Sequence, residues 1–239
     1  MVKLLWRVRS LEIAPNVYQL SIRAVNIILI AEQELTLIDT GLLGSSAKII
    51  DFIHQLGRSV EEISLIIITH NHFDHIGGLV ELRKLTKAKV AIHKAGIIDA
   101  DGDPPYPGGI RRLLRVPLFS PLRGRFMLSP GDVDIQLEDG KVLEPLGGLR
   151  VVHTPGHTPG SISLYSPKHK LLIVGDAVVK SHNAPQLPHK MVSTNVAEAM
   201  NSIRKMAQLD FDTLCFGHGR PLTGDARTKL AELVEKTRG

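Results

Sequence analysis

The chain has 239 residues, a mass of 26.2 kDa, a hydrophobic fraction of 43% and a formal net charge of +5. This length and this hydrophobic fraction suffice for one domain spanning residues 1–239, and the single cysteine, Cys215, excludes an intrachain disulfide and a thiolate metal cluster. The sequence has no long run of Lys and Arg and no apolar stretch of ~20 residues, so we expect a cytoplasmic protein that binds neither nucleic acid nor membrane.

Four short apolar runs open the chain and predict an antiparallel meander of strands at 4–8, 17–22, 25–30 and 35–38. The last run ends at Asp39. From the local sequence alone, Asp39 is either a turn-forming residue or a support for a functional site. A helix is then predicted from Ser45 or Ser46 up to Gly57, because isoleucines recur at helical spacing between them.

The next apolar run predicts a buried strand at 63–69, and a dense group of polar residues follows it directly. Four potential metal ligands lie there within six residues: His70, His72, Asp74 and His75. Imidazole and carboxylate groups suit zinc, and without a cation so many of them at one strand end would be left unsatisfied. We therefore predict a metal site rather than a polar loop with chance histidines.

A helix carrying Leu79, Leu82 and Leu85 and a strand at 89–92 continue the alternation typical of an α/β unit, and His93 at the strand end is interpreted as structural. Prolines, glycines and arginines then interrupt the pattern over 96–131. Large apolar residues in this segment argue against disorder. We predict a lid or a partner-contacting element, such as the contact of a homodimer.

The second half begins again with strands, at 133–137, 149–152, 161–165 and 171–174. A loop fixed by two prolines and two glycines presents His157, while His153 is assigned to the preceding strand. Asp176 follows an apolar strand, a helix starts near Asn195, a short strand leads to His218, and a last helix runs from about 225 to 236.

Each half, about 1–130 and 131–239, is thus a set of strands followed by helices that delivers acidic residues and histidines to strand ends. The two halves look like distant copies of each other. The fold class predicted from this pattern is α+β (α/β), with two sheets packed face to face and helices outside.

The ordered set of these residues resembles the metallo-β-lactamase superfamily over most of the chain: Asp39, His70, His72, Asp74, His75, His157, Asp176 and His218. The resemblance implies a four-layer αβ/βα sandwich with a dinuclear metal centre at one edge of the sheets. Carried over by position, it implies one metal on His70, His72 and His157 and a second on Asp74, His75 and His218. Asp176 would bridge the two ions, and Asp39 would support the metal-binding loops.

The resemblance also implies a reaction. Two divalent ions, zinc first and iron or manganese as alternatives, would activate a bridging hydroxide as nucleophile, with Asp74 orienting it and relaying its proton. The bridging Asp176 is similar to the glyoxalase II and lactonase branches, although Val179 stands where acyl-homoserine lactonases carry tyrosine. The expected function is hydrolysis of an ester, thioester or lactone in a small-molecule substrate.

Three other functions stay open at this point: a mononuclear iron enzyme of the persulfide dioxygenase type, a phosphodiesterase, and weak β-lactamase activity. The substrate-binding residues are unknown. We expect the segments 96–131 and 178–194 to determine the substrate, because such connections beside a strand-end site commonly contact it.

Overall fold

The computed structural model describes residues 9–97, Leu128 and 130–237. The strand predicted at 4–8 lies outside the described residues. So does most of the segment 96–131, including the apolar and arginine-rich part interpreted as a lid or a partner contact.

The first sheet is built mainly from the amino-terminal half. Within the described residues it has seven strands, adjacent in chain order: β1 (Arg9–Ala14), β2 (Val17–Ile22), β3 (Val25–Ala31), β4 (Leu35–Ile38), β5 (Ile63–Ile68), β6 (Lys89–His93) and β7 (Ile135–Leu137). The strands β1 to β4 form an antiparallel meander, in which β2, β3 and β4 match predicted strands, whereas β4 to β7 run parallel. Sequence patterns missed β1, because it is a largely exposed edge strand with little apolar alternation.

The second sheet belongs to the carboxyl-terminal half. Its described strands are β8 (Val142–Leu143), β9 (Leu149–His153), β10 (Ile162–Ser166), β11 (Leu171–Ile173), β14 (Thr213–Cys215) and β15 (Leu222–Thr223), and their order across the sheet is β15-β14-β11-β10-β9-β8. Only the pair β11 and β14 is parallel in this sheet as described. A separate hairpin joins β12 (Val179–Ser181) to β13 (Ala184–Gln186).

Helices connect the strands close to where the sequence predicts them. They are α1 (Ser46–Gln55), α2 (Phe73–Ile76), α3 (Leu79–Leu85), α4 (Val196–Ala207) and α5 (Ala226–Lys236). Asn195 caps α4, since its side-chain oxygen accepts from the backbone N–H groups of Ala197 and Glu198. Ser45 makes no such side-chain bond at α1, and the Ser46 hydroxyl instead donates to Glu81 on α3.

Three apolar layers separate four layers of structure. The first lies between α1, α3 and the outer face of the first sheet, where Ile53 and Leu82 are fully buried. The second lies between the two sheets, where Ile67 of β5 belongs to the same buried cluster as Leu164 of β10. The third lies between the second sheet and helices α4 and α5. In the described part of the chain this is the four-layer αβ/βα sandwich predicted from the resemblance, and the fold class is confirmed.

Parallel strands place the polar residues of both halves at one edge of the sandwich. Asp39 follows β4 and His70 follows the adjacent β5, while Asp176 follows β11 and His218 follows the adjacent β14. A hydrogen bond from the Ile162 backbone N–H to the Thr69 carbonyl, at 2.9 Å, joins the two sheets at this edge. Residues far apart in the sequence therefore converge there.

None of the helices that the structure describes has the length and hydropathy that a membrane span requires.

Cys215 provides a test of the packing between the sheets. Its thiol is fully buried in the apolar layer that they share, and burial raises the pKa of the thiol well above its usual value. We expect iodoacetamide to alkylate Cys215 of the native protein at least about a hundredfold more slowly than in urea. Mass spectrometry of timed samples measures both rates. A Lys168→Cys variant, with an exposed thiol in the same chain, is the control, and equal native and unfolded rates at Cys215 would contradict this packing.

Candidate metal centre

The predicted ligands come together in three overlapping sets at the shared edge. In each set one ligand atom per residue lies within 4.8 Å of the others: His70, His72 and His157; His70, His75 and Asp176; Asp74, His75 and His218. Every one of the seven predicted ligands is therefore part of one continuous cluster. Each half of the chain contributes to each set.

The first ligand group, His70, His72 and His157, consists of three buried histidines. His72 Nδ1 and His157 Nε2 are 3.0 Å apart, and the two rings are nearly perpendicular at 80°. The His70 ring meets both edge-on, with centroid distances of 4.7 and 4.8 Å. Ring nitrogens thus converge on a common point, an arrangement that suits a cation with nitrogen ligands.

The second ligand group, Asp74, His75 and His218, combines one carboxylate with two histidines. Asp74 Oδ2 lies 3.7 Å from His75 Nε2 and 3.4 Å from His218 Nε2. The His75 ring is fully buried, whereas the side chain of His218 is 39% exposed. The second group therefore lies nearer to solvent than the first.

Asp176 faces both groups. Its Oδ1 lies 3.6 Å from His75 Nε2, and its Oδ2 lies 3.7 Å from His157 Nε2 and 3.2 Å from His218 Nε2. A single carboxylate thus lies between the ligands of the two groups, which is the position that the sequence analysis gave to a bridging residue.

Burial and mutual repulsion keep the first group unprotonated. Burial, with His75 and His72 nearby, holds the pKa of His70 well below its usual value. Burial and the neighbouring His157 lower the pKa of His72 to about 3, and burial also lowers that of His157. These imidazoles are neutral at physiological pH, as metal ligands must be.

Carboxylates have the opposite effect on the second group. Burial alone would lower the pKa of His75, but Asp39 and Asp176 raise it well above its usual value. Hydrogen bonding to Asp176 and Asp74 raises the pKa of His218 to about 10. Burial alone would raise the pKa of Asp176, but His75 and His218 hold it well below its usual range.

Several buried polar atoms of the cluster have no hydrogen-bond partner in the described part of the chain and are suited to binding a cation. His70 Nε2, His75 Nε2 and Asp176 Oδ1 are buried, and none of them has a hydrogen-bond partner among the described residues. Leaving such groups unsatisfied in a protein interior is costly. Nitrogen and carboxylate donors at these separations suit divalent ions, so the residues present fit the metals that the resemblance implies.

Asp39 holds two parts of the cluster together. Its Oδ1 accepts from the Thr69 backbone N–H and its Oδ2 from the Thr69 hydroxyl, both at 2.8 Å, and Oδ2 lies 2.7 Å from His75 Nδ1. The backbone of Asp39 is left-handed, with φ of 61°, a conformation that aspartate tolerates better than most residues. With Nδ1 turned to Asp39, the Nε2 atom of His75 faces the cluster.

The loop that carries His157 is fixed on two sides. The Thr194 N–H donates to the His157 carbonyl at 3.1 Å, and the Asn195 N–H donates to the Gly156 carbonyl at 2.9 Å. The Ser202 hydroxyl of α4 donates to the Pro155 carbonyl at 2.7 Å. The rigid support predicted for His157 thus comes from α4 and its capping turn.

Asn71 is a residue that the sequence analysis overlooked. It is fully buried between His70 and His72, its Nδ2 donates to the Gly96 carbonyl at 3.0 Å, and its Oδ1 accepts from the Leu128 N–H at 3.3 Å. Asn71 therefore ties the metal-ligand segment to the backbone at Gly96 and at Leu128. The sequence did contain a signal for this role, because Asn71 lies between two of the predicted ligands, His70 and His72.

The six remaining histidines, His169 among them, lie outside the described ligand groups. His54 on α1 is exposed, and His182 and His189 of the 178–194 segment lie outside every described ligand group. His93 and His153 stack on each other with ring centroids 3.9 Å apart, and burial together with His153 lowers the pKa of His93 to about 4. Neither of these two belongs to a described ligand group.

Comparisons with known proteins agree with this geometry. The family model described as "Metallo-beta-lactamase superfamily" matches residues 20–218. The chain is 30% identical to the probable metallo-hydrolase YflN of Bacillus subtilis, over 94% of this chain and 92% of YflN. It is 33% identical to the acyl-coenzyme A thioesterase MBLAC2 of Gallus gallus, over 61% of this chain and 51% of that protein.

Among solved structures, the fold is similar to that of the metallo-beta-lactamase family protein TTHA1429 from Thermus thermophilus. The TM-score is 0.74 at 24% identity, and the match covers 95% of this chain and 81% of that one. At this identity, the likeness supports the fold alone.

Proposed function

Since the chain belongs to the metallo-β-lactamase superfamily, we propose that it is a dinuclear metal-dependent hydrolase that cleaves an ester, thioester or lactone. The observation that carries the proposal is the position of Asp176, whose two oxygens face His75 on one side and His157 and His218 on the other. A carboxylate shared in this way offsets the repulsion between two neighbouring cations.

In this proposal His70, His72 and His157 hold one ion, and Asp74, His75 and His218 hold the other, with Asp176 between them. We assign zinc to both positions, because imidazole nitrogen and carboxylate oxygen are its usual ligands, and iron or manganese are the alternatives. Zinc bound there supplies a water with a pKa near neutrality and polarises a substrate carbonyl.

Asp74 is the proposed catalytic residue of the chain itself. Its side chain is 20% exposed, so water reaches it, while Oδ2 stays within 3.7 Å of His75 and 3.4 Å of His218. Burial alone would raise the pKa of Asp74, but His218 and His75 lower it, and the carboxylate is ionised at neutral pH. It can therefore orient the attacking water, accept its proton and return that proton to the leaving group.

A small-molecule substrate is part of the same proposal. The named activity of the MBLAC2 relative, hydrolysis of acyl-coenzyme A thioesters, favours a thioester among the three bond types. We therefore place thioesters first in any substrate screen.

The test begins with metal content. Protein purified without added metal should contain about two zinc ions per chain by inductively coupled plasma mass spectrometry. The same preparation, loaded with zinc, should turn over at least one of a panel of acyl thioesters, p-nitrophenyl esters and lactones. A chelator should abolish the turnover, and zinc should restore it.

The alternatives give different results in the same assays. One iron per chain, together with oxygen consumption on glutathione persulfide, would indicate an iron oxygenase instead of a hydrolase. Turnover confined to bis-p-nitrophenyl phosphate would indicate a phosphodiesterase, and turnover confined to nitrocefin a β-lactamase. Two zinc ions without turnover of any ester, thioester or lactone would contradict the proposed substrate class.

A further inference from the structure

His218 lies between two glycines just after a strand of the second sheet. It follows β14 between Gly217 and Gly219, and Gly219 has a φ of +85°. A hydrogen bond from the Gly217 N–H to the Gly175 carbonyl, at 2.7 Å, connects this segment to the second sheet. Flanking glycines leave the backbone free to adopt many conformations, so something else must hold the ring in place.

The β2–β3 hairpin of the other half supplies that support through Asn26. The Asn26 backbone N–H donates to the Gly217 carbonyl at 2.7 Å, and its side-chain Nδ2 donates to the carbonyls of Phe216 and Gly219 at 2.9 and 2.6 Å. Asn26 is only 3% exposed. One residue thus binds three backbone carbonyls around His218.

Two neighbours of Asn26 complete the contact. The Ser21 hydroxyl donates to Asn26 Oδ1 at 2.7 Å, which orients the amide so that Nδ2 points to the carbonyls. Gln19 Nε2 donates to the same Gly219 carbonyl at 3.0 Å. The amide of Asn26 is therefore fixed at its oxygen and fully used at its nitrogen.

The turn of the same hairpin fixes the ring of His218 directly. His218 Nδ1 lies 2.8 Å from the Ala24 carbonyl, and because a carbonyl oxygen can only accept, Nδ1 carries the proton. Nε2 is then the atom turned to Asp74 and Asp176.

The backbone of this turn is strained. Arg23 and Ala24 both have left-handed backbones, with φ of 51° and 69°, and neither is glycine. Such a conformation costs free energy and persists only where surrounding contacts determine it. Arg23 Nη1 donates to the Leu43 carbonyl at 3.2 Å, which is one of those contacts, and the bond to His218 is another.

We propose that Asn26 is a positioning residue for His218, and that the β2–β3 hairpin thereby controls how tightly the second ligand group binds its ion. The inference rests on the dinuclear site proposed above and is specific to one side of it. His70, His72 and His157 are held by β5 and the 153–160 loop, and none of their described hydrogen bonds involves the hairpin.

The deciding variant is Asn26→Asp, which keeps the acceptor for Ser21 but replaces both side-chain donors by acceptors. Metal-free protein is titrated with zinc by isothermal calorimetry, and cobalt absorption spectra report each ligand set separately. We expect the weaker of the two zinc-binding steps, which we assign to the second ligand group, to lose about 10- to 100-fold in affinity. Removal of a supporting hydrogen bond typically has an effect of this size. The tighter step should change by less than about threefold. The turnover number should fall with little change in KM.

Two comparisons keep the result interpretable. Asn201→Asp, the same amide-to-acid change on an exposed position of α4, should leave both steps unchanged. Gln19→Ala, which removes one donor to the Gly219 carbonyl, should weaken the second step less than Asn26→Asp, and it serves if the latter does not fold.

Two outcomes would overturn the proposal: equal weakening of both steps in Asn26→Asp or Gln19→Ala, or two unaltered steps. Either would mean that the hairpin has only a general structural role. A wild-type chain that binds a single ion would instead contradict the dinuclear function, so the two failures are distinguishable.

Discussion

Replacing Asp176 with asparagine is expected to lower kcat/KM by at least about a hundredfold on whatever ester, thioester or lactone the protein hydrolyses. Asparagine has nearly the same shape, so the packing around it is retained. It lacks the negative charge that faces His75, His157 and His218, and it presents two N–H groups where cations must approach. Metal content should fall below the wild-type value in the same preparation.

Steady-state kinetics with saturating zinc measure the loss, and circular dichroism confirms that the fold persists. Asp210→Asn is the matched control, because that carboxylate is 64% exposed and pairs only with surface lysine and arginine side chains among the described residues. It should retain full turnover. An Asp176→Asn protein that kept more than about a tenth of wild-type kcat/KM would show that no shared carboxylate is needed.

Replacing Gly156 with alanine is expected to lower the free energy of unfolding by about 3 kcal/mol or more and to displace His157. Gly156 has a φ of +130°, and a Cβ atom there would lie 2.2 Å from the backbone nitrogen of Ala199 and 2.4 Å from its Cα. These are backbone atoms of α4, which is packed on the second sheet. Since they cannot move aside, the loop must, and His157 moves with it.

Urea denaturation of the metal-free protein measures the stability, and metal analysis measures the effect on the site. Gly148→Ala is a matched control, because φ there is +128° and the added Cβ would meet only the Val142 side chain, at 3.6 Å. Gly148→Ala should lower the free energy of unfolding only by the cost of placing alanine in this backbone conformation, about 1–3 kcal/mol. Equal destabilisation by the two substitutions would contradict the close packing of Gly156 on α4.

The strand β5 and the ligands that directly follow it have a strong local signal in the sequence. Residues 63–68 are a mainly apolar run that is typical of a buried strand, and the polar residues that follow it could hardly lie anywhere but a strand end. His157, Asp176 and His218 are isolated in the sequence, without a dense group of other potential ligands around them that would mark a metal site. They were identified because each follows an apolar strand and because their order resembles a known family.

The support that Asn26 gives to His218 had no local signal in the sequence. Asn26 lies within an apolar strand, and its partners Phe216 and Gly219 are 190 and 193 residues away. The short strands β8, β12, β13 and β15 were also missed, because two or three residues are too few to show a periodicity. The sequence therefore did not show the contacts between the halves or the shortest strands within them.

That contact has a thermodynamic consequence. Because every described ligand set draws residues from both halves of the chain, a cation that binds there binds the assembled sandwich more tightly than the separated halves. By mass action, ion present at about a hundredfold excess over its dissociation constant would add about 2.7 kcal/mol to the free energy of unfolding. The stability of this fold is then a function of the free metal concentration around it, and metal depletion acts on the protein's lifetime as well as on its chemistry.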